Sequence, residues 1–297
     1  LSGTATICNG SSTNLSVAIT GGNSPFTVVY TDGTTPATVN SYTSGSAISV
    51  SPTSTKTYSL VSVTSTGGCA GSGLSGSPVV TVNQLPIANA GGNVNVCSAG
   101  SYTFSSASAS NSSSVTWSTT GDGTFNNTSL LAATYTFGAN DLLVGSVSIT
   151  LTANGISPCG NNSNTITLSH STNGTWLGTL STNWSTAGNW CGGVPIASTA
   201  VLIPNGAPNY PILSSGAQAA QSISIAGSAS LQINGGSLTL SGDMDNDGSM
   251  TVGSSGTLDM VSNQITGTGD VIVNGIFKTS KAAGFSGSAS TAVINTI

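Results

Sequence analysis

Between Ile223 and Val273 the chain repeats short apolar-x-apolar units separated by Gly, Asn or Ser. They are Ile223-x-Ile225, Leu231-x-Ile233, Leu238-x-Leu240, Met250-x-Val252, Leu258-x-Met260 and Val271-x-Val273. Met244 and Ile265 stand as single apolar residues in the gaps. Ile223, Met244 and Ile265 lie 21 residues apart, Leu231, Met250 and Val271 follow at 19 and 21, and Leu238 and Leu258 at 20. Alternation puts the outer two residues of each unit on one face of a strand. Three short strands per turn at this period predict a parallel β-helix, or solenoid, over 213–297, with inward residues stacked from coil to coil. A long β-sandwich is the alternative, but its strands are normally longer. The outward residues Ser224, Gln232, Thr239, Thr251, Asp259 and Ile272 form no Thr-x-Thr ladder and include no base to assist a carboxylate.

The surface such a chain presents is nearly uncharged. Of 297 residues, eight are Asp, three are Lys (Lys56, Lys278, Lys281), and none is Glu or Arg. Charged residues make up 4%, against roughly 25% in ordinary domains. Ser, Thr, Asn and Gly must therefore do the solvating. Val, Ile and Thr broken by Gly, Asn and Pro read as strands and turns, so the fold class is all-β. No apolar run approaches the ~20 residues of a membrane helix, so direct membrane insertion is not expected. A net charge of −5 argues against nucleic acid and against a polybasic membrane patch. Glycoside hydrolysis uses paired carboxylates, and only Asp is available. His170 is the single histidine, and a turn or linker role suits it better than a Ser-His-Asp triad. No enzyme is expected, and no cofactor unless calcium.

Cys8 and Cys69 are 61 residues apart, and Cys97 and Cys159 are 62 apart. Equal spacing at a fixed offset marks a tandem repeat, and each pair is expected to form a disulfide in an oxidising compartment. Metal binding is the weaker reading, since no Cys has a close Cys or His partner. An aromatic in a strand follows each first cysteine (Tyr30, Trp117), then Asp-Gly (Asp32-Gly33, Asp122-Gly123). Alternating strands close each copy at Val80-x-Val82 and Ile166-x-Leu168. Two β-sandwiches are expected, over 1–85 and 86–170, with the break near Leu85-Pro86. Cys191 is left over, either free or paired outside this sequence.

Residues 171–212 form a tryptophan-rich junction. Trp176, Trp184 and Trp190 fall within fifteen residues. They are read either as a cap filling the open end of a core, which stacked repeats require, or as a platform for stacking sugar rings. Asp243-Met-Asp245-Asn-Asp247-Gly248 matches the first half of a calcium loop. The twelfth position is Ser254 rather than Glu, so the alternative is an acidic turn. Calcium here would rigidify, not catalyse.

Gly-Asn-Ser-Pro-Phe-Thr-Val-Val-Tyr (22–30), Gly-Asp-Gly-Thr-Phe (121–125) and Thr-Tyr-Thr-Phe-Gly-Ala-Asn-Asp (134–141) leading into 147–153 resemble the PKD-like and Ig-like repeats of giant surface proteins of the Bacteroidota. The Trp-rich stretch followed by Gly-Ser-Leu-Thr-Leu-Ser-Gly (236–242) is similar to their β-helical segments. The resemblance implies two tandem Ig-like/PKD-like β-sandwiches followed by a parallel β-helix, in a gliding-motility-type adhesin exported by the type IX route. It carries no active site to transfer. The expected location is the extracellular cell surface, within a larger chain of which both ends here read as cuts. Expected partners are surface polysaccharide or other surfaces, or further copies of the chain in a filament.

Overall fold

The computed structural model describes residues 1–281 and, as backbone alone, 292–294. The chain is all-β, with 3% helix and 49% strand. It forms two compact units. The first comprises residues 1–94, 101–141 and 147–168, and the second comprises 95–100, 142–146 and 169–297.

In the second unit the parallel solenoid completes about four turns, and it has three ladders. The first stacks Ala200–Ile203, Ser222–Ile225, Met244–Asn246 and Ile265–Thr266. The second stacks Ile212–Leu213 on the first half of Ser230–Leu240, then on the first half of Ser249–Asp259, then on Asp270–Val273. The third joins Ala217–Ala220, the second halves of the same two long strands, and Ile276–Lys278. The 21-residue spacing is the coil length: Ile223 pairs with Met244, and Met244 with Ile265. Leu231, Met250 and Val271 form the second row, and Leu238, Leu258 and Phe277 the third. The regular ladder strands begin earlier than position 213, at Ala200.

One inward row ends in a polar residue. Ile203 and Ile225 are followed by Asn246, which is buried. Its Nδ2 donates to Asp270 O at 3.0 Å, and its Oδ1 has no hydrogen-bond partner. In the next coil Gly267 has a φ of +98°, and a Cβ there would collide with the backbone of Asn246. The first ladder accordingly shrinks to the two residues Ile265–Thr266.

The ladders of residues 1–171 are shorter and fall into two sets, with none joining 1–83 to 87–171 among the described residues. In the first set Phe26–Thr31 lies between Ala37–Tyr42 and Ser59–Ser65. Ala5–Cys8 runs parallel to Val79–Asn83. Leu15, Val28 and Val80 are fully buried. Tyr42 is buried among them, its hydroxyl accepting from Val17 N at 2.7 Å and donating to Ser46 O at 2.7 Å. Tyr30 lies on this strand as expected, and Phe26 is its buried aromatic. The register slips between Val29 and Tyr30, and Tyr30 remains half-buried.

In the second set Ser112–Thr119 pairs with Ser146–Gly155, placing Trp117 opposite Leu151. Trp117 lies on this strand as expected and is buried, stacked on Phe104 at 4.4 Å, with its Nε1 donating to Leu130 O. The outer face shows how a chain without charge solvates a sheet. Thr150 and Thr165 hydroxyls pair across strands at 2.8 Å, and Thr152 and Ser163 at 2.9 Å.

The disulfide pairing corrects the sequence expectation. Cys8 is bonded to Cys159, with a sequence separation of 151 and Cα atoms 5.0 Å apart. Neither Cys8–Cys69 nor Cys97–Cys159 exists; Cys69 is an exposed thiol and Cys97 a half-buried one. Equal spacing reports repetition, but connectivity depends on packing. Cys8 lies beside Asn83 in the parallel pair, where the chain leaves the first set. Asn83 Nδ2 donates to Ser157 O at 2.7 Å, two residues before Cys159. The bond therefore staples one set to the other. In the chain-entropy model a loop of this length is worth about 5 kcal/mol.

Leu258 is fully buried and touches coils on both sides. Leu258→Ala is expected to destabilise the solenoid by about 2–5 kcal/mol. The outward Thr251→Ala should cost no more than about 0.5 kcal/mol. Urea unfolding followed by circular dichroism measures both.

Candidate functional site

The residues that could bind or react occupy four places: the tryptophan segment, the acidic triplet, a buried carboxylate at Asp141, and a groove at Lys56.

The tryptophan segment is the first, irregular coil of the solenoid. Thr175 bridges Leu202 and Asn183 bridges Ile212, both in parallel. Trp176 N donates to Leu202 O at 2.8 Å, and Trp184 N to Ile212 O at 3.1 Å. The indoles fill its interior: Trp176 and Trp184 are fully buried and Trp190 almost so. Trp190 meets both others edge to face, with ring centroids 4.8 and 4.7 Å apart. Trp190 Nε1 donates to Trp184 O, and Trp176 Nε1 to Asn209 O, both at 2.6 Å. With their faces covered, these rings cannot stack on a sugar, so the platform expectation does not hold here. They close the end of an apolar core instead.

Asn189, not singled out in the sequence, is the polar centre of this coil. Fully buried, it accepts from Leu180 N and Ser181 N, both at 3.0 Å. It donates to Ser181 Oγ and Asn183 O. The only sequence signal was the doubled Asn-Trp pair, Asn183-Trp184 and Asn189-Trp190.

The acidic triplet does not converge on a cation. Met244 and Asn246 point inward; Asp245 lies between them on the strand Met244–Asn246, Asp243 and Asp247 flank its two ends, and all three aspartates are exposed. Side chains two residues apart on a strand are spaced about 6.6 Å, whereas calcium ligands approach one ion at about 2.4 Å. Each carboxylate instead reaches the next coil. Asp243 accepts from Gln264 N, Asp245 from the Thr266 hydroxyl, and Asp247 from Thr268 N and hydroxyl. Every partner is 21 residues on. Among the described residues no group of three His, Cys, Asp or Glu side chains could hold a metal. The calcium expectation at these three residues is therefore corrected to a coil-to-coil clamp.

Asp141 is a buried carboxylate that the sequence reading did not identify. It accepts from Asp122 N, Gly123 N, Gly138 N and the Tyr135 hydroxyl, the last at 2.6 Å. Asp122 returns the arrangement by accepting from Asn140 N and Asp141 N, both at 3.1 Å. Those backbone bonds, that to Asn140 foremost, lower the Asp122 pKa. Gly121 and Gly138 have no room for a Cβ, which would strike Asp141 and Asp122 respectively. The Gly-Asp-Gly and Gly-Ala-Asn-Asp stretches are thus two halves of one turn lock.

A concavity of about 470 Å³ is lined by Tyr30, Asp32, Thr34, Ser49, Lys56 and Tyr58 among others. Lys56 Nζ lies 3.0 Å from Asp32 Oδ2. The Tyr30 and Tyr58 rings are 6.1 Å apart and inclined at 49°. The Thr34 hydroxyl, then Lys56, hold the Asp32 carboxyl down to a pKa of about 2.

Residues 175–286 match a family described as a domain of unknown function, DUF8693. No curated protein matches the chain. The matched stretch opens at Thr175, the first bridge of the tryptophan coil, so cap and coils fall within one family match.

Removing the buried acceptor in Asp141→Ala strands four donors, and destabilisation on the order of 3 kcal/mol is expected by thermal unfolding. Asp32 binds its proton less readily folded than unfolded. Its contribution to stability is therefore complete above about pH 4 and lost as pH falls towards 2. Carboxyl-resolved NMR titration should find Asp32 near 2, and partly restored towards the ordinary value in Lys56→Met.

Proposed function

We propose that this chain is a non-enzymatic, extracellular structural and adhesive segment of a bacterial cell-surface protein. In this reading residues 1–85 and 86–170 are Ig-like or PKD-like sandwiches that extend a stalk, and the solenoid stiffens it. One observation carries the proposal: the tryptophans, the acidic triplet, Asp141 and Asn189 are consumed in holding the scaffold. The three tryptophans fill a coil, and the acidic triplet clamps one coil to the next. Asp141 and Asn189 spend their capacity on backbone turns. A cystine and a hydroxyl-covered surface fit an oxidising exterior, where proteases that cut at Lys or Arg find three sites in 297 residues. The resemblance to gliding-motility adhesins supports surface attachment in particular.

A subunit of a self-assembling filament is the structural variant of the same reading. Low charge removes repulsion between copies.

Carbohydrate contact is a second reading, favoured by the Tyr30–Asp32–Lys56 groove. It gathers one of the chain's three lysines, an aspartate and two tyrosines beside Thr and Ser hydroxyls. Tyrosine faces and paired charges suit a neutral or acidic polysaccharide.

A single adhesion experiment tests these readings. The chain is passed over bare glass and over polysaccharide-coated sensors, with light scattering on the same stock. Retention on both surfaces, unchanged in a Tyr30→Ala, Lys56→Met double variant, is the expected result for general adhesion. Retention on polysaccharide alone, lost in that variant, favours the groove. Growth of scattering mass with concentration favours the filament. No retention on either surface by a monomeric chain overturns the proposal.

A further inference from the structure

Five cysteines leave an odd thiol, and one cystine accounts for two of them. The other three differ in surroundings: Cys69 is exposed, Cys97 half-buried and Cys191 fully buried. Cys191 packs against Ser98, the residue directly after Cys97, and its thiol is a near neighbour that helps raise the Cys97 pKa. One carbonyl holds their neighbourhood together. Ser171 O accepts from Ser98 N at 2.8 Å and from Cys191 Sγ at 3.2 Å. Ser98 Oγ lies 3.9 Å from Cys191 Sγ.

The backbone of Cys191 is fixed within the tryptophan coil. Its N donates to Thr175 O at 2.8 Å, and its O accepts from Gly174 N at 2.9 Å. Just beyond it Gly192 has a φ of +84°, and a Cβ there would strike Asn173. The chain thus makes a left-handed turn directly after the buried thiol.

We infer that Cys97 and Cys191 form a second disulfide in the mature chain, locking residues 95–100 onto the capping coil of the solenoid. The inference is independent of adhesion and shares with that reading only the oxidising environment. With Ser98 Oγ 3.9 Å from Cys191 Sγ and Ser171 O shared by Ser98 and Cys191, the adjoining Cys97 thiol starts as a near neighbour of Cys191, the proximity that a disulfide requires. The oxidant is an external disulfide, oxidised glutathione or the disulfide of a thiol oxidoreductase. One protein thiolate attacks it, forming a mixed disulfide and releasing one small thiol. The second protein sulfur then displaces the other half. Two protein thiols become one S–S bond, the external disulfide becomes two thiols, and both protons leave on those thiols.

Burial, then the neighbouring Cys191, pushes the Cys97 thiol up to about 12. A group so rarely ionised at neutral pH makes a poor exchange catalyst, which assigns the pair a structural role. It also makes closure in the folded chain slow, so folding in the presence of oxidant is the efficient route.

The test uses the whole chain, reduced, unfolded and refolded in a glutathione redox buffer until the Cys8–Cys159 link is complete by mass. It is then denatured without reductant and alkylated with iodoacetamide. Intact mass and peptic peptide mapping give the readout, since trypsin has too few sites. The expected result is one alkylated cysteine, Cys69, and a peptide joining Cys97 to Cys191. The Cys97→Ser variant should show two alkylated cysteines, Cys69 and Cys191, with the Cys8–Cys159 link intact. Three alkylated cysteines in the unsubstituted chain, or a peptide joining Cys97 or Cys191 to Cys69, would overturn the inference.

Discussion

Coil-to-coil stacking is the constraint on which the second unit depends. A single coil of about 21 residues cannot bury its own apolar side chains or satisfy its own backbone. Val201, Ile223, Met244 and Ile265 are buried because each is stacked against the neighbouring coil. A stack of this kind has an open end, and an open end exposes apolar surface. The tryptophan coil answers that problem. Three indoles fill an irregular interior that aliphatic residues at regular spacing would leave hollow, and Asn189 satisfies the backbone that irregularity leaves unpaired. The cap also carries a cost, since Trp184 Nε1 is buried without a partner.

Scarcity of charge gives each ionised side chain unusual structural weight. Hydroxyl pairs such as Thr150–Thr165 and Thr152–Ser163 cover the sheet. Aspartates are directed at backbone donors within a turn at Asp122 and Asp141 and between coils at Asp243 and Asp247, while Asp245 reaches the Thr266 hydroxyl of the next coil. The acidic triplet looked like half a calcium loop because both arrangements alternate acidic residues with others. A calcium loop must curl so that alternate side chains converge. Here buried Met244 and Asn246 hold the backbone extended, and the carboxylates diverge along the ladder.

Legibility in the sequence varied with the range of the interaction. Inward rows such as Leu231–Met250–Val271 were readable because a strand's period of two and a constant coil length are local properties. Tyr30 and Trp117 could both be placed on strands, but their different burial could not be read, because a register slip before Tyr30 leaves no mark in composition. Asp141 was hidden as one polar residue in a turn-like stretch. Its role becomes visible only when Gly121, Asp122 and Gly138 are seen to leave space around it.

By itself the sequence determined the class of the fold, the length of the coil and the inward face of each strand, since these follow from backbone geometry and solvent avoidance over a few residues. Tertiary structure alone decided that Cys8 meets Cys159, that the three indoles are covered, and that the aspartates face the next coil. Those outcomes depend on which distant surfaces come into contact. Contact between residues 151 apart is set by how whole sheets pack, and no local pattern records it.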